Sequence, residues 1–198
     1  MTGGKAKESQ MSYVIPEISE TTVRVATLHV EGLNIFYREA GSTSQPKLVL
    51  LHGFPASSHQ YRNLIPALAD RFHVIAMDYV GFGNSDMPNP SNYSYTFEKT
   101  SEVVEEFLKK KGFARFGLFV QDYGGPVGFR ILSRKPGWLE WLIIQNTNAY
   151  EAGFTPAWDG FRNALWKNRS PETERPLTSF WSWKQSRASI FMGTRSPS

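Results

Sequence analysis

Four short apolar runs constrain the fold of these 198 residues more than any other feature: Lys47–Leu51, His73–Met77, Phe116–Gln121 and Leu139–Gln145. Leu48-Val-Leu-Leu51 shows the pattern at its clearest. It is too short for a buried helix and lacks the polar alternation of a half-exposed strand, so it reads as a strand covered on both faces of a parallel sheet. The segments between the runs have helical spacing. Ser58–Ala69 places Leu64, Ile65 and Leu68 on one face, and Thr96 precedes a segment that does the same with Val103, Val104, Phe107 and Leu108 before closing at Lys109-Lys-Lys-Gly112. Val127–Leu132 is read as a third helix, with Pro126 near its first turn. Ahead of all this, Thr22–Val30 alternates, Glu31-Gly32 interrupts, and Leu33–Glu39 resumes with Ile35 and Tyr37 on one face, which predicts a hairpin. Strands alternating with helices predict an α/β protein with a mostly parallel sheet, an N-terminal hairpin and helices on both faces.

The chemistry concentrates at the turns that end two of these strands. In Phe119-Val-Gln-Asp122-Tyr-Gly-Gly125-Pro-Val-Gly128 an acidic residue stands where an apolar strand turns into a helix, with two glycines close behind. Such a turn lifts a carboxylate above the C-terminal edge of the sheet, where open α/β sheets bind ligands. The adjoining helix N-terminus favours its ionised form. The layout is that of a nucleophile elbow with Asp in place of Ser, although an Asp at such a place also serves as a helix N-cap. The second turn is Leu51-His-Gly-Phe-Pro55, directly after the first buried strand. A loop there can aim a backbone N–H at the same spot, so the N–H groups of Phe54 and Tyr123 are candidate oxyanion or leaving-group donors. His52 reads as a residue that stabilises this loop.

His52-Gly-Phe-Pro55, Asp78-Tyr-Val-Gly-Phe-Gly-Asn-Ser-Asp86 and Gln121-Asp-Tyr-Gly-Gly125 together resemble the α/β-hydrolase superfamily, specifically its epoxide hydrolase and haloalkane dehalogenase branch. The resemblance spans about residues 22–170. It implies that Asp122 attacks an electrophilic carbon and forms an alkyl-enzyme ester, which a His-activated water then hydrolyses. A carboxylate suits the first step because it is ionised at neutral pH and needs no base. The same resemblance makes the substrate a small apolar epoxide or haloalkane and makes Tyr150 and Trp158 candidate substrate contacts. Trp158, Trp166, Trp181 and Trp183 also have spacing that suits helix packing. Dehalogenases of this branch hold halide with side-chain N–H groups at the positions of Phe54 and Tyr123, and neither residue has one.

The sequence departs from the family in the second half-reaction. All four histidines, His29, His52, His59 and His73, precede Asp122, and Asn146-Thr-Asn148 follows the last strand with no carboxylate until Glu151. The expectation is a C-terminally truncated member lacking its last strands, or else a non-catalytic chain that binds a small ligand or a partner. Its organisation is then a polar tail over 1–20, an incomplete core over 21–149, a partial helical cap over 150–183 and a tail over 184–198. The uncovered sheet edge would favour self-association.

Composition narrows the remaining classes. No Cys occurs, so disulfides, thiolate zinc sites and cysteine nucleophiles are excluded. The net charge of +4 comes from residues 167–198, where six basic residues meet two acidic ones among Ser and Pro. This is no interleaved basic face, and nucleic acid is not expected as a partner. Gly81-Phe-Gly83 lacks the third glycine of a dinucleotide loop, and H-E-x-x-H, Walker A and G-x-S-x-G patterns are absent, so neither cofactor nor metal is expected. No apolar run approaches a membrane span and the polar first ten residues hold no signal-peptide core, which predicts a cytoplasmic protein without a membrane partner.

Overall fold

The computed structural model describes residues 22–168, 170–173 and 175. The tails assigned to 1–20 and 184–198, together with Trp181 and Trp183, lie outside the described residues. The six strands are β1 (Arg24–Val30), β2 (Leu33–Ala40), β3 (Lys47–Leu51), β4 (His73–Met77), β5 (Phe116–Gln121) and β6 (Leu139–Gln145). They form one sheet in the order β1-β2-β4-β3-β5-β6. β1 and β2 make the hairpin and β2 joins β4 antiparallel, whereas β4, β3, β5 and β6 run parallel. The chain therefore leaves β3 to one side for β4 and returns to its other side for β5.

Side-chain alternation along the buried strands sorts the core into two layers. Val49 and Leu51 of β3, Ile75 and Met77 of β4, and Leu118 and Val120 of β5 face one side, packed with Val103, Val104, Phe107 and Leu108 of α2 (Phe97–Lys110) and Val127 and Ile131 of α3 (Gly124–Arg134). Leu48, Leu50, Val74 and Ala76 face the other, against Tyr61, Ile65 and Ala69. Covering both faces is what allows these strands to be apolar at every position.

The helix ends follow from local chemistry. Thr96 Oγ1 accepts from the Lys99 N–H at 3.1 Å, capping α2, and such a cap contributes about 1 kcal/mol. Lys109 and Lys110 complement its last turn, and Gly112 follows it in a left-handed conformation at φ 73°. α2 and α3 are clasped by Arg134, which reaches Glu105 and Glu98 at 2.8 Å each and Ser101 at 3.0 Å.

Two expectations need correcting. Ser58–Ala69 is not one helix but a 3-10 turn, Ser58–Tyr61, followed by α1, Leu64–Leu68. Pro66 has no N–H to return to the Arg62 carbonyl, so a continuous helix would lose that bond, whereas Pro is tolerated in the first turn of a new one. α3 starts at Gly124 rather than Val127, because Pro126 likewise falls within its first turn. Beyond β6 the described part of the expected cap includes short turns at Glu151–Gly153, Pro156–Trp158 and Asp159–Phe161, a π-helical stretch, Arg162–Lys167, and helical residues at 171–173. Among the described residues no helix is long and apolar enough to cross a membrane.

Candidate active site

β5 ends at Gln121, and Asp122 takes the left-handed conformation, φ 49°, before α3 begins. A non-glycine residue there is strained by roughly 1 kcal/mol or more, and strain of this kind is kept where it aims a side chain. Asp122 is therefore not the N-cap of α3, a position that Tyr123 holds without a side-chain cap bond. The sharp turn needs close packing behind it: a Cβ on Gly124 would lie 2.2 Å from the Leu51 carbonyl oxygen, so only glycine lets α3 start against β3.

The facing loop leaves β3 as His52-Gly-Phe-Pro55. Its Phe54 N–H donates to Asp122 Oδ1 at 2.7 Å, a charge-assisted bond between residues 68 apart in sequence. Gly53 makes this approach feasible, since a Cβ there would stand 2.6 Å from Asp122 Cβ and 2.5 Å from Gln121 Oε1. The loop is anchored at both ends. Asp78, 1% exposed at the end of β4, accepts from the Ser58 N–H at 2.7 Å through one oxygen and from the Asn84 N–H at 2.9 Å through the other. His52 is fully buried, stacked on Tyr79 at 4.0 Å, with Nδ1 2.9 Å from the Gly53 carbonyl oxygen and Nε2 3.4 Å from the Tyr79 nitrogen. Burial pushes its pKa down to about 4, against smaller upward pulls from its Gly53 hydrogen bond and from Asp78 and Asp122. It is a neutral ring committed to backbone groups.

Of the two expected N–H donors, then, the structure places the Phe54 group on Asp122. Tyr123 stands beside it with its ring stacked on Phe54 at 5.4 Å and edge-on to Phe97 at 4.8 Å. Burial, reinforced by Asp122, pushes the Tyr123 phenol up to about 12, so it stays protonated. Asp122 and Tyr123 floor an open cavity of about 770 Å³ whose walls include Tyr150, Phe154 and Trp158. Both predicted substrate contacts thus line the cavity over the carboxylate, but from its rim: Tyr150 is 80% and Trp158 44% exposed.

Sequence reasoning missed three residues at this cavity. Phe97 and Arg130 line it as a pair, the guanidinium lying 5.6 Å from the centre of the Phe97 ring. No local pattern marks them, because α2 and α3 bring them together. Thr147 donates its hydroxyl to the Asp122 carbonyl oxygen at 2.6 Å, tying the end of β6 to the turn. Its neighbour Asn146 has φ 46°, and Asn after a strand was the one available sign of a turn there.

The model of the alpha/beta hydrolase fold matches residues 46–175, well over half of the chain. The chain belongs to that family. This α/β-hydrolase is 41% identical over 138 residues to an uncharacterized hydrolase of Saccharomyces cerevisiae, covering 70% of this chain and 47% of that one. It is 35% identical over 135 residues to a haloalkane dehalogenase of Mycobacterium marinum, covering 68% and 43% respectively. Among solved structures it superposes on the epoxide hydrolase CorEH with a TM-score of 0.66 at 29% identity, over 80% of this chain and 56% of the other. The α/β-hydrolase thus spans between about a third and just under half of the length of the relatives it matches in sequence, and it is related to both haloalkane dehalogenases and epoxide hydrolases.

Proposed function

We propose that Asp122 is the nucleophile of an α/β-hydrolase that forms an alkyl-enzyme ester with a small apolar electrophile, an epoxide or a haloalkane. The observation that carries this reading is the Phe54 N–H bond to Asp122 Oδ1 at 2.7 Å, at a strained turn that opens on an aromatic-walled cavity. One carboxylate oxygen is held and stabilised, and the other attacks carbon. As the new C–O bond forms, the C–halogen bond breaks and halide leaves, or an epoxide C–O bond breaks and its oxygen takes a proton from water.

Hydrolysis of the ester needs a positioned base, typically worth about 10²–10⁴ in rate. No histidine follows Asp122 in the 198 residues, and His52 has both ring nitrogens engaged in the loop. The 198-residue chain is therefore expected to react once and stop at the covalent stage. Incubation with a reactive epoxide or alkyl halide should add one alkyl group (with the opened epoxide oxygen, where an epoxide is used) to the tryptic peptide containing Asp122, and Asp122→Asn should abolish it. Sustained turnover would refute the single-event reading. The absence of any adduct across reactive probes would favour a second reading, a chain that binds a ligand or partner without reacting, which the exposure of Ile143 and Ile144 on β6 supports.

A further inference from the structure

The Gly53–Phe54 peptide is one planar unit with a polar group at each end. Its N–H donates to Asp122 Oδ1, while its carbonyl oxygen accepts at 2.9 Å from His52 Nδ1 and at 3.0 Å from the Ala56 N–H. His52 Nε2 faces the Tyr79 N–H, a donor, and Nδ1 faces a carbonyl, an acceptor, so these partners assign the proton to Nδ1. The ring lies parallel to Tyr79 within 23° and edge-on to Phe82 at 5.1 Å, and the Tyr79 hydroxyl holds the His52 carbonyl at 3.0 Å. A slot with these walls would accept a phenyl ring, which would bring no desolvation cost. What a phenyl ring would lack is the Nδ1 donor toward the Gly53 carbonyl and, on its other side, the Nε2 acceptor that meets the Tyr79 N–H at the longer distance of 3.4 Å.

We propose that His52 is a positioning residue whose Nδ1–H sets the plane and polarity of the Gly53–Phe54 peptide, and thereby the aim and donor strength of the Phe54 N–H toward Asp122. A hydrogen bond on an amide oxygen draws electron density toward that oxygen and strengthens the N–H as a donor, and chains of such bonds reinforce one another by roughly 10–30% per bond. The bond also fixes rotation of the peptide plane, which would otherwise swing the N–H off the carboxylate. Burial keeps the imidazole neutral at physiological pH, so a single tautomer serves throughout. The catalytic meaning of this inference rests on Asp122 being the nucleophile; its structural content does not.

The test uses the 198-residue chain with ¹⁵N labelling. In the wild type, the His52 nitrogen shifts should report Nδ1–H and bare Nε2, and the Phe54 amide proton should lie far downfield, as a short bond to a carboxylate requires. His52→Phe fills the slot without a donor and should move the Phe54 amide upfield and slow adduct formation on Asp122 by about tenfold. His52→Asn, whose side-chain N–H₂ can stand where Nδ1 stood, should restore most of both. The proposal is overturned if the Phe54 amide is unmoved in folded His52→Phe, if Asn restores neither signal, or if the wild-type ring carries its proton on Nε2. The last measurement needs no variant, so it decides even where His52→Phe does not fold. Should no probe alkylate Asp122, the proposed reaction fails while the amide shifts still judge His52.

Discussion

Gly124→Ala sets helix propensity against space, and the two predict opposite signs. Gly124 has an ordinary φ, and in the first turn of a helix alanine would normally be favoured over glycine by up to about 1 kcal/mol. Here the added Cβ would sit 2.2 Å from the Leu51 carbonyl oxygen, 2.8 Å from the Leu51 carbonyl carbon and 3.0 Å from its Cβ. Two of these three atoms are backbone, in the strand at the centre of the sheet, so no rotamer change relieves the contact. The start of α3 must instead back away from β3 by about 1 Å to regain van der Waals distance. Overpacking of this kind costs about 1–3 kcal/mol, so the variant should be less stable by roughly 1–2 kcal/mol net. Two comparisons calibrate the result. Gly128→Ala meets only methyl groups, Val120 Cγ1 at 2.9 Å and Leu118 Cδ2 at 3.1 Å, and should cost less, and Gly137→Ala meets nothing within 4 Å and should be near neutral. Urea unfolding midpoints at constant slope measure all three. A Gly124→Ala protein as stable as the wild type would show that α3 does not start hard against β3, and the geometry argued for Asp122 would fall with it.

Acid should weaken the fold through His52. Its folded pKa of about 4 lies below the unfolded 6.5, so the unfolded chain takes up the proton first; the contribution is intact above pH 6.5 and is lost toward pH 4, on the order of 3 kcal/mol. Chemical denaturation across this window should show the slope in the wild type and a flatter one in His52→Phe, and equal slopes would contradict the assignment. Glu39, where hydrogen bonds from His73 and Lys111 outweigh the upward push of burial, adds a further loss below pH 4.5. Arg134→Met strips the nearly buried Glu105 of its α3 partner and leaves it, among the described residues, the ion pair with Lys109, and urea melts should show a loss of about 1–2 kcal/mol. β6 is an edge strand with Ile143 45% and Ile144 55% exposed, so the protein should self-associate through it, and Ile144→Lys should lower the sedimentation-derived mass at high concentration.

The strands were legible because each carries its own signature: Leu48–Leu51, His73–Met77 and Phe116–Gln121 are apolar on both faces, and those bounds match the structure to within a residue. The capped helix Phe97–Lys110 was legible for the same local reason, with Thr96 at one end and Gly112 at the other. What failed depends on counting backbone hydrogen bonds. Pro66 and Pro126 each stand third in a helix, so both mark a helix start: Pro66 splits the segment expected as one helix, and Pro126 sets the start of α3 two residues before itself. At the site, Asp122 and the His52–Pro55 loop could be named because turn chemistry is local. The Arg130–Phe97 pair and the Thr147 bond to the turn could not, since each joins elements whose packing angles no short motif encodes.

The central pairing of β3 with β5 sets Leu51 opposite Val120, so Phe54 lies three residues beyond the pair on one strand and Asp122 two beyond it on the other. The distance between the Phe54 N–H and the Asp122 carboxylate is therefore counted in residues from a single rung of the sheet. Insertions or deletions in the loops over 41–46 or 87–92 leave that count untouched, and such segments are free to change length over evolutionary time. One residue gained between Leu51 and Phe54, or between Val120 and Asp122, carries the donor or the carboxylate off by a full step of about 3.3 Å. Descendants of this chain can vary widely in length around the site while those two short intervals stay fixed, so their lengths mark a chain that keeps the Phe54–Asp122 contact even where little other identity survives.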